Sequence, residues 1–256
     1  MIPTPDNPIF TVVIPLIPQH DFEIKRILNL LTHEQHLINE VIICRSETKG
    51  SVAKVKEKYS RCANSVGFLK RVSIDCVRSV ARDGTNRNRG WQTASTKYVA
   101  FLDADDLYSK NRLSTLLELF ETTNADAILH NYSSSGRPSE IFDATIQNIK
   151  KVTVKKNNDG VNYLSDMSGN ELKVHFAHIT LRNELKETLM FTDRFPGADW
   201  EFATEIVSRG FNVQYFTQEL SAWSRNRSFR YKIRIFKLRL RKKFSKSMKR
   251  KDSKNP

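Results

Sequence analysis

Apolar residues in this chain fall in short runs separated by stretches with helical spacing. Phe10–Leu16 (FTVVIPL) is a β-branched run of the kind that forms a strand buried on both faces. Phe22, Ile24, Ile27, Leu28 and Leu31 then recur near helical spacing, which predicts a helix over Asp21–Leu31. Glu40–Cys44 (EVIIC) predicts a second buried strand, Val52–Tyr59 a short helix, and Gly67–Val80 a segment holding a third strand. Asn88–Thr96 reads as a helix and Lys97–Leu102 (KYVAFL) as a strand. Arg112–Phe120 is an amphipathic helix with Leu113, Leu116, Leu117 and Phe120 on one face, and Ala125–His130 is another strand. Residues 132–170 are polar and irregular and read as an inserted region of loops and short strands. Beyond it come a strand over Glu171–Leu181, a helix over Trp200–Ser208 closed by Gly210, and a strand over Phe211–Phe216.

Strands alternating with helices over residues 10–131 predict an α/β fold with a parallel, doubly wound sheet. In such sheets ligands bind beyond the carboxyl ends of the strands. Chemistry is therefore expected after Leu16, after Cys44 and after Leu102.

Charge changes the picture through its placement. The 256 residues carry a net charge of +14, and residues 225–256 hold 15 of the 42 Lys and Arg against one acid, Asp252. The body before them is neutral, so no basic surface is predicted for gripping a nucleic acid. No apolar run approaches the roughly 18 residues that would cross a bilayer. Met1–Pro8 has neither the basic start nor the apolar stretch of a secretory signal. Cys44, Cys62 and Cys76 form no C-x-x-C pair and read as small hydrophobes in a reducing compartment. The expected location is cytoplasmic.

Leu102-Asp103-Ala104-Asp105-Asp106 places three carboxylates in four residues at a strand end. Such charges repel unless a cation or hydrogen-bond donors offset them, and oxygen ligands of this type suit Mg²⁺ or Mn²⁺. They also suit the N-terminal end of the helix that follows near Ser109, and spacing alone leaves both readings open. The neighbours add to it. Asn86-Arg87-Asn88-Arg89-Gly90, Ala94 and Tyr98–Asp106 resemble the A-R-N-x-G…A…Y-[IV]-x-F-L-D-x-D-D block of the family 2 glycosyltransferases. Val12–Leu16 resembles the family's first strand, and Phe195–Phe202 with Gly210 and Tyr215 resembles its late acidic segment. These blocks lie in the family's order and span about residues 10–228.

The resemblance implies a GT-A fold, with a mostly parallel central sheet flanked by helices, over residues 1–228. It implies transfer of a sugar from a nucleotide-diphosphate donor to an acceptor hydroxyl with inversion, assisted by Mn²⁺ or Mg²⁺. Carried over by position, Asp105 would bind the metal, with Asn226 at a second position near it. Asp103 and Ala104 would meet the donor, Arg87 would lie near its base and phosphates, and Pro15 would line the nucleoside pocket. Asp199 would be the catalytic base. Arg45 stands where the family carries the first acid after its second strand, at the donor's base. Ile17-Pro18 replaces the small or polar pair that follows the first strand. The acceptor would be a glycan or a lipid-linked sugar, in surface polysaccharide or glycan synthesis.

Three rival classes stay open at this level, one of them a nucleic-acid binder that acts through the basic tail. A nucleotidyltransferase would show G-x-G-x-R after the first strand, where this chain has Ile17-Pro18-Gln19-His20. A binding module without catalysis is favoured by Arg45 and opposed by Asp103, Asp105 and Asp199. His33-Glu34-Gln35-His36 is one residue short of H-E-x-x-H, so its histidines are read as solvated. His175 and His178, on the segment that faces acceptor in relatives, are given a structural role.

Residues 229–256 form a basic tail. Phe229, Ile233, Phe236, Leu240 and Phe244 make one helical stripe among Lys and Arg. Such a segment can lie on an anionic membrane surface, here the inner face, or pack on the body of the protein.

Overall fold

A computed structural model of the chain describes residues 8–133, 148–158, 160–172, 179–193 and 198–222. The strands are β1 (Phe10–Leu16), β2 (Ile38–Arg45), β3 (Arg71–Cys76), β4 (Tyr98–Phe101), β5 (Leu107–Tyr108), β6 (Ala127–Ser133), β7 (Ile149–Lys151), β8 (Thr153–Lys156), β9 (Asn162–Ser165), β10 (Ile179–Arg182) and β11 (Val213–Ala222). The α-helices are α1 (Ile24–Leu31), α2 (Val52–Ser65), α3 (Asp83–Thr93), α4 (Arg112–Thr123) and α5 (Ala198–Ser208). The main sheet runs β3-β2-β1-β4-β10-β6-β11-β5, with β7 also paired to β11, and β8 and β9 form a separate hairpin sheet.

Both faces of the sheet are covered, which is why its strands read as unbroken apolar runs. Phe10, Val12, Ile14 and Leu16 of β1 belong to one core with α1, α2 and α4. Val13 belongs to the other, with Trp91 of α3 and Phe202 of α5. The period of two along β1 thus feeds two hydrophobic layers at once.

β1 is parallel to β2 and β4, β2 to β3, and β6 to β11. Three strands depart from the all-parallel expectation: β10 is antiparallel to both β4 and β6, and β5 and β7 are antiparallel to β11. Successive connections place β2 and β3 on one side of β1, and the chain then crosses to its other side through α3 to form β4. This reversal opens a crevice at the carboxyl ends of β1 and β4, the position where open α/β sheets bind ligands. Pro15 fits that opening. Val13, two residues earlier, accepts from Leu102 N on the β4 side at 3.0 Å, and the β1–β4 pairing ends at Val13 opposite Phe101. The missing N–H of Pro15 therefore falls where β4 has already ended, and no ladder bond is lost.

Several predicted boundaries move. The segment over Asp21–Leu31 is a 3₁₀ turn, Pro18–Glu23, followed by α1. α2 continues to Ser65, beyond its predicted end at Tyr59. α3 starts at Asp83 rather than Asn88, because its polar first turn has no apolar periodicity and is held from outside. β11 extends to Ala222, past the predicted Phe216. The irregular region holds β7, β8 and β9, and of Glu171–Leu181 the described strand is β10. Phe195–Gly197, His175, His178, Asn226 and the basic tail lie outside the described residues.

Candidate active site

The acidic turn after β4 is fixed from below and left open above. Tyr108 Oη donates to Asp103 O at 2.7 Å, and Arg26 Nη2 of α1 donates to Ala104 O at 2.8 Å. Arg112 Nη2 reaches Phe101 O at 3.3 Å, and its guanidinium lies 5.2 Å from the Tyr108 ring centroid. Arg112 Nε donates to His130 Nε2 at 3.2 Å, which assigns the imidazole proton to Nδ1, facing Asn131 O at 2.9 Å. Burial lowers the Arg112 guanidinium to about 10, against the opposing pull of Tyr108, Glu34 and Asp103. Burial, then the Arg112 charge, hold His130 well below its ordinary value, so it is neutral at pH 7.

α4, which carries Arg112, is capped from a distance. Glu34 accepts from Leu113 N at 2.8 Å and from Ser114 N at 2.7 Å, satisfying two orphan helix N–H groups. Burial raises the Glu34 carboxyl, with the bonds from Leu113 and Ser114 acting against it. The sequence reading of the H-E-x-H stretch had its histidines right, since His33 and His36 are exposed. It missed the buried glutamate between them.

The three acids of the turn have different surroundings. Asp106 is buried. Asp103 pairs with Arg87 Nη2 of α3, whose side chain is only 1% exposed. Asp105 is partly exposed and makes no hydrogen bond or ion pair to another described residue. Asp83, one helical turn before Arg87, lies within electrostatic reach of the same group. It is open to solvent on one side and crowded on the others. That crowding raises its carboxyl, Arg87 opposes, Asp103 and Asp105 raise it further, and His20 opposes. Its spacing of four from Arg87 on a helix was the available signal, hidden because the helix was started too late.

Among the described residues, no group of three His, Cys, Asp or Glu side chains could hold a metal ion. The donor set does fit a hard cation held by one carboxylate, Asp105, with a ligand's phosphates and water completing the shell. This is the usual manner of Mg²⁺ in phosphate sites.

Arg45, at the end of β2, is 6% exposed at its side chain and committed to protein partners. Its Nε and Nη2 donate to Asp21 at 2.9 and 3.2 Å, and its Nη1 to Thr48 Oγ1 at 2.8 Å. Tyr59 Oη adds a bond to Asp21 at 2.7 Å. Burial works to raise the Asp21 carboxyl, but the bonds from Arg45 and Tyr59 outweigh it and hold it below 3.8. At this corner an acid is present, Asp21 before α1, and it is paired with and neutralised by Arg45. Ser46 Oγ receives Asn86 Nδ2 at 3.2 Å, which joins the end of β2 to α3.

Asp199 lies in the first turn of α5, partly exposed, with Trp200 N donating to its Oδ1 at 3.1 Å. Tyr132, at the end of β6, lies within electrostatic reach of both Asp199 and Asp106 of the acidic turn. Burial raises the Tyr132 phenol, and the charges of Asp199 and then Asp106 raise it further, so both carboxylates act on one ring. The structure thus brings Arg87, Asp103, Ala104 and Asp105 together at the carboxyl end of β4, next to β1 with its Pro15, and Asp199 and Asp106 both lie within electrostatic reach of Tyr132. Sequence reading did not mark Tyr132, whose strand residues carry no motif.

Comparisons with known proteins bear on the fold and the family. A 31% identical stretch of 116 residues is shared with an uncharacterized glycosyltransferase of Rickettsia bellii (strain RML369-C). It covers 44% of this chain and 15% of that relative. S. aureus TarS 1–349 in complex with UDP-GlcNAc matches with a TM-score of 0.61 at 15% identity, over 86% of this chain and 59% of that one. The mannosyltransferase PcManGT from Pyrobaculum calidifontis, in complex with GDP-Man and Mn²⁺, matches with a TM-score of 0.61 at 14% identity, over 87% and 59%. These likenesses establish the fold as that of GT-A glycosyltransferases, and the chain spans about three fifths of the length of those two structures. The family description "Glycosyl transferase family 2" matches residues 23–173, more than half of the sequence, and the chain belongs to that family.

Proposed function

We propose that the protein transfers a sugar from a nucleotide-diphosphate donor to an acceptor hydroxyl, with inversion at the anomeric carbon. The observation that carries this reading is the division of labour at the end of β4. A buried arginine neutralises Asp103, while Asp105 is left unengaged at the mouth of the crevice. Arg87 and Asp103 are assigned to the donor's nucleoside and phosphates, with Ala104 and Pro15 lining the pocket. Arg45 acts at the base through the Asp21 pair. Asp105 would hold Mn²⁺ or Mg²⁺; Asn226, the second expected ligand, lies outside the described residues. Bound there, the ion supplies Lewis-acid stabilisation of negative charge on the departing diphosphate.

Asp199 is the base. Its carboxylate takes the proton of the acceptor hydroxyl as that oxygen attacks the anomeric carbon. The bond from carbon to the diphosphate oxygen breaks on the opposite side, and the diphosphate leaves with the electron pair. A single displacement of this kind inverts the centre. The Trp200 N–H on Asp199 Oδ1 leaves Oδ2 free to receive the proton.

A glycan or lipid-linked acceptor, in surface polysaccharide or glycan synthesis, fits the family. No helix among the described residues is long and apolar enough to cross a membrane. The basic stripe of residues 229–248 is assigned to the anionic inner face of the membrane, with the catalytic body cytoplasmic. Co-sedimentation with anionic but not neutral vesicles, lost in Phe236→Glu, is the expected result for the tail.

The function is tested by incubating the protein and Mn²⁺ with UDP-GlcNAc, GDP-mannose and other nucleotide sugars and following nucleoside diphosphate release. At least one donor should turn over and give a product of inverted configuration by NMR. No release from any donor, with or without acceptor glycans, would contradict the reading.

A further inference from the structure

The two halves of the crevice come from distant parts of the chain, and one short segment joins them. Residues 191–193 run along the N-terminal half of α3. Asn88 grips both main-chain polar groups of Phe191: Nδ2 donates to Phe191 O at 2.8 Å, and Phe191 N donates to Oδ1 at 2.9 Å. Two residues on, Asp193 Oδ1 accepts from Thr85 N at 2.8 Å, and the other carboxylate oxygen accepts from the Thr85 hydroxyl. Arg82 Nη1 donates to Asp193 O at 2.7 Å. α3 has no side-chain cap of its own, so Asp193 caps it from more than a hundred residues away. Between these contacts the packing leaves no slack, since a Cβ on Gly84 would sit 2.2 Å from Thr192 O.

The same segment is fastened to the other side. Thr192 Oγ1 donates to Glu201 Oε2 of α5 at 2.7 Å. The Phe191 ring stacks on Phe202 of α5 with centroids 3.7 Å apart, and the Arg87 guanidinium lies 5.9 Å from the Phe191 centroid. Phe191 therefore fills the space between the arginine that pairs with Asp103 and the helix that carries Asp199. Asn88 holds its backbone in both directions.

We propose that Asn88 is a positioning residue, and that its hold on Phe191, with Asp193 on Thr85, sets Asp199 at its working distance from the Arg87–Asp103 pair. This rests on the assignment of Asp199 as base. Asn88 has both polar atoms of its amide committed to Phe191. Its loss should degrade alignment rather than affinity, and a misplacement on the order of 1 Å can cost roughly 100-fold in rate.

The test uses the full chain and Asn88→Ala, with Asp193→Asn as a second variant that keeps the residue's size should the first fail to fold. Three quantities are measured: kcat for nucleoside diphosphate release from UDP-GlcNAc or GDP-mannose with Mn²⁺, the Kd of UDP or GDP with Mn²⁺, and amide hydrogen exchange. The expected result is a fall in kcat of roughly 10- to 100-fold with Kd within about threefold of wild type. Exchange over 198–206 should quicken while that over 98–106 holds. An unchanged kcat, a Kd weakened in parallel with kcat, or unchanged exchange over 198–206 would overturn the proposal. If the wild type releases nucleoside diphosphate from no donor, the functional reading fails instead, and exchange over 198–206 still decides whether Asn88 holds α5 in place.

Discussion

The two sides of the crevice are built in different ways. On the side proposed for the donor, Arg87, Asp103, Ala104 and Asp105 come from residues close in sequence, on α3 and at the end of β4, over strands buried in both cores. Their support is internal and largely enclosed, with Arg26, Tyr108 and Arg112 beneath the acidic turn. On the side proposed for the acceptor, Asp199 begins a helix and is partly exposed, and the segment proposed to register it is pinned to α3 from about a hundred residues away. A site made this way should separate under mutation, with donor binding answering to one set of residues and turnover to the other.

The largest effect on turnover is expected from Asp199→Asn, which keeps the shape and removes the proposed base. Transfer should fall by ~10²–10⁴-fold, measured as nucleoside diphosphate release, while nucleotide affinity stays near wild type.

On the donor side the corresponding large effect is on stability. Asp21→Asn removes the carboxylate that neutralises the enclosed Arg45, and breaking such a pair should cost about 3 kcal/mol in chemical denaturation. Because the Asp21 carboxyl is held below 3.8, this contribution is present above that pH and is lost as pH falls through the lower folded value. The variant and wild type should converge in acid.

Two glycines of α3 sharpen the contrast. A Cβ on Gly90 would meet Val13 Cγ1 at 2.5 Å, inside the core, so Gly90→Ala should cost ~1–3 kcal/mol of stability with little change in turnover per folded molecule. Gly84→Ala instead pushes on the main chain at Thr192. It should lower turnover more than it lowers stability.

The smallest effect is one of pH. His130 is neutral in the folded protein and well below 6.5, so the unfolded chain takes up a proton first as pH falls. Stability should decline below pH 6.5 by up to about 1.4 kcal/mol per pH unit from this group. Urea denaturation at pH 7 and pH 5.5 reads it, and His130→Gln should flatten the slope.

The same contrast explains what the sequence disclosed. β1, β2 and β4 were legible because burial on both faces turns a strand into a continuous apolar run. Asp103, Asp105 and Arg87 were legible because their motif is local. The antiparallel β10 was not, since four residues of strand carry no sign of direction. The first turn of α3 was missed because Asp83, Gly84 and Thr85 have no apolar period and take their cap from Asp193. Arg45 looked like the loss of an acid. The compensating acid, Asp21, lies 24 residues earlier, and only the fold brings the two together. Tyr132 and Glu34 were silent for the same reason, since each acts on partners far away in sequence.

The central claim is that Asp105 serves the donor and Asp199 the acceptor. Titration of UDP or GDP, whichever the wild type binds, into wild type, Asp105→Asn and Asp199→Asn, each with and without Mn²⁺, tests it most directly. The account predicts that wild type and Asp199→Asn bind with the same affinity and the same gain from Mn²⁺, while Asp105→Asn binds weakly and without that gain. Full Mn²⁺-dependent binding by Asp105→Asn, or its loss in Asp199→Asn, would contradict it.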